Sequence, residues 1–210
     1  MRVRIFGEAA LLLTVLVVGA PHIVAQNAGT PSHQPGTPPA RTLAPRPELA
    51  LGYSYVHSNA PPGSCTCFSL NGGNATFAFP FKSGNFALAG DITVVHANGI
   101  SSGGYSLTLS TFTAGARYQP QFAHSSLRPF GQALIGLAHS SGSLVQGANA
   151  SVSNAGAAFA ANLGGGLDLN LNRHFAWRLA EADYLLTTFD NGSNNHQNNL
   201  RVSTGVVIRF

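Results

Sequence analysis

Charge is what this chain has least of. Asp, Glu, Lys and Arg together make up 9% of its 210 residues, where roughly a quarter is usual for a soluble globular domain. So few charges cannot clothe a water-facing surface. Lys82 is the only lysine, and the remaining basic residues are dispersed singly. That pattern excludes the basic patch of a nucleic-acid-binding surface. Long apolar runs are also missing. Beyond the N-terminal segment none approaches the 18 or more residues of a transmembrane helix. If the mature chain enters a membrane it must do so as a closed barrel, because only helices and closed barrels satisfy every backbone group in lipid. Cysteine is confined to Cys65 and Cys67, in Gly63-Ser64-Cys65-Thr66-Cys67. Two thiols in one loop fall short of the four ligands of a closed zinc site. A strained loop disulfide or two free thiols are the readings left.

The N-terminus carries Arg2 and Arg4 ahead of an apolar run over residues 9–20, with small residues around Val24-Ala25-Gln26. This is the layout of a secretory signal peptide over residues 1–25. Its removal takes away Arg2, Arg4 and Glu8, so the formal charge falls from +4 to +3, and it places the cysteines in an oxidising compartment. Residues 26–47 hold Pro31, Pro35, Pro38, Pro39, Pro45 and Pro47 among Thr, Ser, Ala and Gly. Proline at that density supports neither a helix nor a ladder, and the stretch is expected to be an extended linker. One folded domain, residues 48–210, remains.

From Glu48 onward the period is two, the mark of half-buried strands. Residues 48–58 set Leu49, Leu51, Tyr53 and Tyr55 against Ala50, Gly52 and Ser54. Residues 68–81 set Ala75, Phe77, Phe79 and Phe81 against Asn74, Thr76, Ala78 and Pro80. Residues 86–96 set Leu88, Gly90, Ile92 and Val94 against Ala87, Ala89, Asp91 and Thr93. A fourth segment ends with Phe112, Ala114, Ala116 and Tyr118 against Thr111, Thr113, Gly115 and Arg117. Residues 127–139 set Ala133, Ile135 and Leu137 against Gln132, Leu134, Gly136 and Ala138. The sixth sets Phe159, Ala161, Leu163, Leu167, Leu169 and Leu171 against Asn162, Gly164, Gly166, Asp168 and Asn170. The eighth sets Leu200, Val202, Thr204, Val206, Ile208 and Phe210 against Arg201, Ser203, Gly205 and Arg209. The seventh, residues 175–189, breaks parity, since Arg178 is even while Glu181 and Asp183 are odd. A β-bulge near Leu179-Ala180 would bring all three to one face.

Eight segments suit an up-and-down barrel, and the connections alternate in length. Those at 82–85 and 172–174 are short, whereas those at 59–67, 97–104, 140–153 and 190–197 are mostly longer and rich in Gly, Asn and Ser. Short periplasmic turns and longer outer loops are the expected asymmetry of a transmembrane barrel. The connection at 119–126 is longer than that rule prefers.

The placement of charge separates a soluble sandwich from a membrane barrel. Water-facing strands carry Lys and Glu in number, yet here the minor face is Gly, Ala, Ser, Thr and Asn with single charges. Glu48, Asp91, Arg117, Asp168, Arg178, Glu181, Asp183, Arg201 and Arg209 all fall on it. An eight-stranded barrel is just wide enough for side chains to fill. Four arginines and five carboxylates would each need a partner there, and they are expected to form one ion network that plugs the lumen. Tyr53, Tyr55, Phe81, Tyr118, Phe175, Trp177, Tyr184 and Phe210 lie near strand ends, where interfacial girdles sit.

With these features in place, the chain resembles the small eight-stranded outer-membrane barrels typified by the membrane domain of outer membrane protein A. The resemblance spans residues 48–210. It is carried by Trp177-Arg178-Leu179-Ala180-Glu181-Ala182-Asp183-Tyr184, followed by Asn198-Asn199-Leu200-Arg201-Val202-Ser203-Thr204-Gly205-Val206, which looks like that family's last hairpin, and by the terminal Arg209-Phe210. It implies insertion into the outer-membrane lipid, recognition of the last strand by the outer-membrane assembly machinery, an envelope or adhesive role, and no obligatory cofactor. A wall-anchoring domain after Phe210 is not part of the expectation, and Cys65-Thr66-Cys67 is not a feature of the prototype.

No catalytic or metal site is expected. His139 and Ser140 are adjacent, so on a strand they point to opposite faces and cannot pair as base and nucleophile. Gly164-Gly165-Gly166 is followed by no Lys-Ser/Thr and no helix, so it is no phosphate loop. It would instead let a bulky lumen neighbour, such as an arginine, approach the backbone. His57, His96, His139 and His196 have no ligand-like spacing. Asn74-Ala75-Thr76 and Asn149-Ala150-Ser151 match the glycosylation pattern, which means little if the source is bacterial. The expectation is thus an all-β, eight-stranded antiparallel transmembrane barrel, monomeric, in the bacterial outer membrane, with a structural or surface-interaction role. Two alternatives are a narrow diffusion pore, and a soluble periplasmic barrel holding an apolar ligand with the two faces inverted.

Overall fold

The computed structural model describes residues 46–58, 67–82, 84–100, 104–122, 125–142, 155–189 and 196–210. Residues 1–45, on which the expected signal peptide and all but the end of the expected linker fall, lie outside them, as do Cys65 and the loop glycosylation motif at Asn149. Strands β1 (Glu48–Ser58), β2 (Phe68–Pro80), β3 (Phe86–Ile100), β4 (Tyr105–Tyr118), β5 (Leu127–Ser141), β6 (Ala155–Asn170), β7 (Phe175–Thr187) and β8 (Gln197–Arg209) follow one another in chain order. Each pairs antiparallel with the next, and β1 pairs with β8, so the sheet closes into a barrel. Closure leaves no free edge.

The two faces are sorted as the alternation requires, with the apolar set outward. Leu51, Phe77, Leu88, Ile92, Phe112, Ile135, Leu137, Leu163, Val202 and Val206 are exposed, whereas Ser54, Thr76, Asp91, Thr93, Arg117, Asp168, Glu181 and Arg201 are buried. A soluble barrel with an apolar ligand inside would need the opposite assignment, and that alternative is set aside.

The seventh strand carries the irregularity its parity demands. Arg178 stands opposite Gly205 and Glu181 opposite Ser203, so Leu179 and Ala180 face Thr204 alone, and the ladder with β6 shifts at the same place. The Thr204 hydroxyl donates to the Arg178 carbonyl at 2.8 Å, occupying an acceptor that the bulge removes from the ladder.

A second irregularity corrects the loop expectation. Residues 97–104 are not one connection, because β3 continues to Ile100. Ala97 pairs with Leu107 and Ile100 with Tyr105 across a register shift, and Gly99 takes φ +70 there, a left-handed conformation that favours glycine. Only 101–104 are left to connect the strands. The end of the barrel bearing 59–67, 101–104, 142–154 and 188–196, called here the loop end, therefore has one short connection. The turn end, with 81–85, 119–126 and 171–174, has one long one.

Exterior aromatics gather toward both rims. Phe81, Tyr118, Phe175, Trp177 and Phe210 are exposed at the turn end, and Phe86 packs on Tyr118 with ring centroids 4.9 Å apart. Toward the loop end the Tyr53 hydroxyl donates to Asn71 Oδ1, Tyr55 shares a hydrogen bond with Ser69 Oγ at 2.6 Å, and Tyr184 donates to Asn198 Oδ1 at 2.5 Å. These rings keep an apolar body and a satisfied polar tip, the arrangement suited to a membrane–water boundary.

Candidate functional site

The lumen is layered. Its central layer is ionic and begins with the bulge on β7. Residues three apart on a regular strand face opposite ways, but the extra residue turns Arg178 and Glu181 to the same side. Arg178 Nη1 then reaches Glu181 Oε2 at 2.7 Å, while its Nε reaches Asp168 Oδ1 on β6 at 2.9 Å. From β8, Arg201 meets Asp91 on β3 at 2.5 Å, Asp183 at 2.8 Å and Glu181 at 2.9 Å. The Arg201–Asp91 contact crosses the barrel between strands that do not pair. Asp91 also accepts from Thr76 Oγ1 at 2.9 Å and Thr93 Oγ1 at 2.8 Å. Every member is almost fully buried, a setting in which charges persist only if paired and hydrogen-bonded.

Arg117 joins this layer with no ion pair among the described residues. Its Nε and Nη2 donate to Gln132 Oε1 at 3.1 and 2.6 Å, and Gln132 Nε2 donates onward to Glu181 Oε1 at 2.8 Å. The amide spans the gap between guanidinium and carboxylate. Arg117 and Arg178 also lie against the Phe130 ring, with Cζ 4.4 and 4.5 Å from its centroid, so the ring's negative face receives both cations. The glycine run on β6 makes room here, though not for an arginine. A Cβ on Gly164 would lie 2.3 Å from Asp183 Oδ1 and 2.2 Å from the Ala182 carbonyl, and one on Gly166 would lie 2.8 Å from Phe130 Cζ. The neighbours that need the space are a carboxylate and a phenyl ring.

Glu48 and Arg209 form a separate cluster at the turn end. Glu48 Oε1 accepts from Arg209 Nε at 2.8 Å and from Arg128 Nη1 at 3.0 Å, and Arg209 Nη1 donates to Asn170 Oδ1 at 2.7 Å. The ionic contacts thus fall into two clusters rather than the single network expected. A fifth arginine, Arg128, takes part as well, and its parity with Gln132 on β5 is the signal that places it on the inner face.

Above the central layer, toward the loop end, the lumen becomes mainly apolar, with a few buried polar groups such as Ser58, whose hydroxyl donates to Asn199 Oδ1 at 2.6 Å. Val56, Leu70, Val95, Ala97, Ile100, Leu109, Ala138, Ala160 and Leu185 are buried together, with Phe68, Leu107 and Phe189 packed against them. The expectation of a small and polar inner face holds only for the turn-ward part of the barrel. The clue was available: Val56, Val95 and Leu185 share the parity of Ser54, Thr93 and Asp183 on their own strands.

The remaining candidates are not brought together. His139 is exposed while Ser140 is buried, so they face opposite sides of β5. His57 contacts Ser69, and His96 contacts Thr108 and Asn98. Among the described residues no group of His, Cys, Asp and Glu is arranged to hold a metal. Cys67 is exposed just before β2, and a pairing with Cys65 lies outside the described residues.

No protein-family model matches this chain and no curated protein is detectably similar in sequence. Solved structures do match its backbone. Ail, the attachment invasion locus protein of Yersinia pestis, is 16% identical, with 80% of this chain and 100% of that one covered at a TM-score of 0.55. Neisserial surface protein A is 14% identical, with 78% and 97% covered at 0.56. At these identities the likeness is one of fold, and the fold is that of the small eight-stranded outer-membrane β-barrels.

Proposed function

We propose that this chain is an outer-membrane barrel with a structural or surface-interaction role and a closed lumen. The carrying observation is the arginine layer, in which Arg201 and Arg178 tie β3, β6, β7 and β8 together across the interior. A mainly apolar layer stacks above it, and apolar packing in a narrow lumen opposes the passage of hydrated ions. The apolar exterior and aromatic rims support placement in lipid, with the turn end periplasmic, the loop end outward, and β8 with Phe210 as the segment offered to the assembly machinery. The similar structures include an attachment invasion protein and a surface protein, in agreement with a role at the cell surface. No step of this reading requires a cofactor or an enzymatic activity.

Planar-bilayer recording on the refolded protein tests the closed lumen. The expected trace has no stable single-channel openings, and large persistent ones would establish the diffusion pore instead. The membrane placement has its own test at Leu163, which is 63% exposed near the middle of β6. Leu163→Arg should destabilise the folded barrel in vesicles by about 2–4 kcal/mol, the cost of a cation near the bilayer midplane, as read by urea titration. In a water-soluble barrel the same change would be close to neutral.

A further inference from the structure

Below the Glu48–Arg209 pair the turn end opens into a cavity of about 430 Å³. Its wall carries Arg46, Arg128, Arg173 and Arg209, and the one acidic residue on it is Glu48. Four arginines against one carboxylate give this wall a net positive charge, unlike the central layer, where the guanidiniums are matched by Asp91, Asp168, Glu181 and Asp183. The pairing inside the cavity is also incomplete. Arg209 is 7% exposed and Gln119 6%, and both line the cavity, yet Arg209 Nη2 and Gln119 Nε2 make no hydrogen bond among the described residues. Buried donors are rarely left unmade, and a guanidinium N–H is among the costliest to leave so. Glu48 Oε2 is unpartnered as well, but its other oxygen already holds two guanidiniums, so the wall keeps a positive excess.

We propose that this vestibule is an anion site for a phosphate group, taken by Arg209 and Gln119 from within and by Arg46, Arg128 and Arg173 from around the mouth. Arginine presents a planar fork of donors that matches the oxygens of phosphate, and the amide of Gln119 adds a neutral donor from the end of β4. The site does not depend on whether the lumen conducts. Its phosphate could belong to a lipid headgroup at the membrane face or be free in solution, and the same chemistry would recognise either.

The test uses the full chain refolded in detergent, with folding of each variant verified by its gel mobility. Inorganic phosphate is titrated calorimetrically against chloride at matched ionic strength, and retention of phosphatidic acid is followed in parallel by native mass spectrometry. Arg173→Gln alters an exposed turn residue, and Gln119→Leu removes a side chain with no hydrogen bond in the described structure, so neither breaks an ion pair. Each should weaken binding about tenfold, the effect of one lost hydrogen bond to a charged group. Saturable phosphate binding that weakens in both variants supports the site with a free anion. Lipid retention that falls in both variants, with no heat from inorganic phosphate, supports it with a headgroup. Neither signal in the wild type, or signals unchanged in both variants, overturns it. If Gln119→Leu fails to fold, Arg173→Gln alone decides.

Discussion

Replacing Arg201 with methionine should cost the folded barrel about 5 kcal/mol, the upper end of the range for removing one partner of a buried ion pair. The reason is the number of carboxylates left behind. Asp91, Glu181 and Asp183 all contact this guanidinium. Arg178 would still hold Glu181, but Asp91 would keep only its two threonine hydroxyls. Asp183 would keep the weak 3.4 Å contact from Gln132 and the neighbouring carboxyl of Glu181, with no cation on it among the described residues. Methionine fills much of the volume, so the loss is electrostatic rather than a cavity. Arg201→Lys should fall between wild type and Arg201→Met, because an ammonium restores the charge but cannot reproduce a fork that reaches three carboxylates. Urea unfolding in vesicles, followed by gel mobility and tryptophan emission from Trp177, gives the comparison. An Arg201→Met barrel within about 1 kcal/mol of wild type would mean that the layer contributes little to stability.

Deleting Leu179 should abolish the folded barrel altogether. The bulge is what lets one strand present Arg178, Glu181 and Asp183 to the lumen. Without the extra residue, the side chains on one side of the deletion must exchange faces. Either Glu181 and Asp183 go to the exterior while Ala182 and Tyr184 enter a filled interior, or Arg178 leaves Asp168 and Phe130. Both arrangements place charge against lipid and strand its former partners. Leu179→Ala, which keeps the residue count, should still fold. Thr204→Val should cost about 1–3 kcal/mol by leaving the Arg178 carbonyl without its hydroxyl partner. The gel shift reports all three. A Leu179-deleted chain that keeps the compact band would show that the register of β7 tolerates slippage.

What the sequence made legible follows from which interactions are local. The course of β1 was readable because apolar and small residues alternate from Leu49 to Tyr55. The bulge was readable because charged residues of unlike parity cannot otherwise share an interior. The continuation of β3 through Ala97, Asn98 and Gly99 was not, since those residues have turn composition and their pairing with β4 depends on a left-handed glycine that only the folded ladder displays. Nine lumen-facing charges could be listed from parity, but their partners could not. Whether Asp91 meets Arg201 or Arg178 depends on the strand stagger around the closed barrel, a long-range quantity that no local pattern encodes. The role of Gln132 is illegible for the same reason: an uncharged amide becomes a bridge only when Arg117 and Glu181 lie on either side of it. The apolar upper lumen was hidden by a simplification, that outward means greasy and inward means polar, which Val56 and Leu185 contradict.

The seam between β1 and β8 bears on how fast the molecule can form. Consecutive strands are joined by connections of four to thirteen residues, whereas the Glu48–Arg209 contact joins positions 161 residues apart. Contacts of that separation cost the most chain entropy to close and come late in folding. Hairpins can therefore accumulate one after another while the seam stays open, and closure is the step at which the unpaired edges of β1 and β8 vanish together. The ion pair at the seam's turn end, with Phe210 N donating to Pro47 O beside it, acts as a latch on that step. A weakened latch should show itself in the refolding rate before it shows in the shape of the finished barrel.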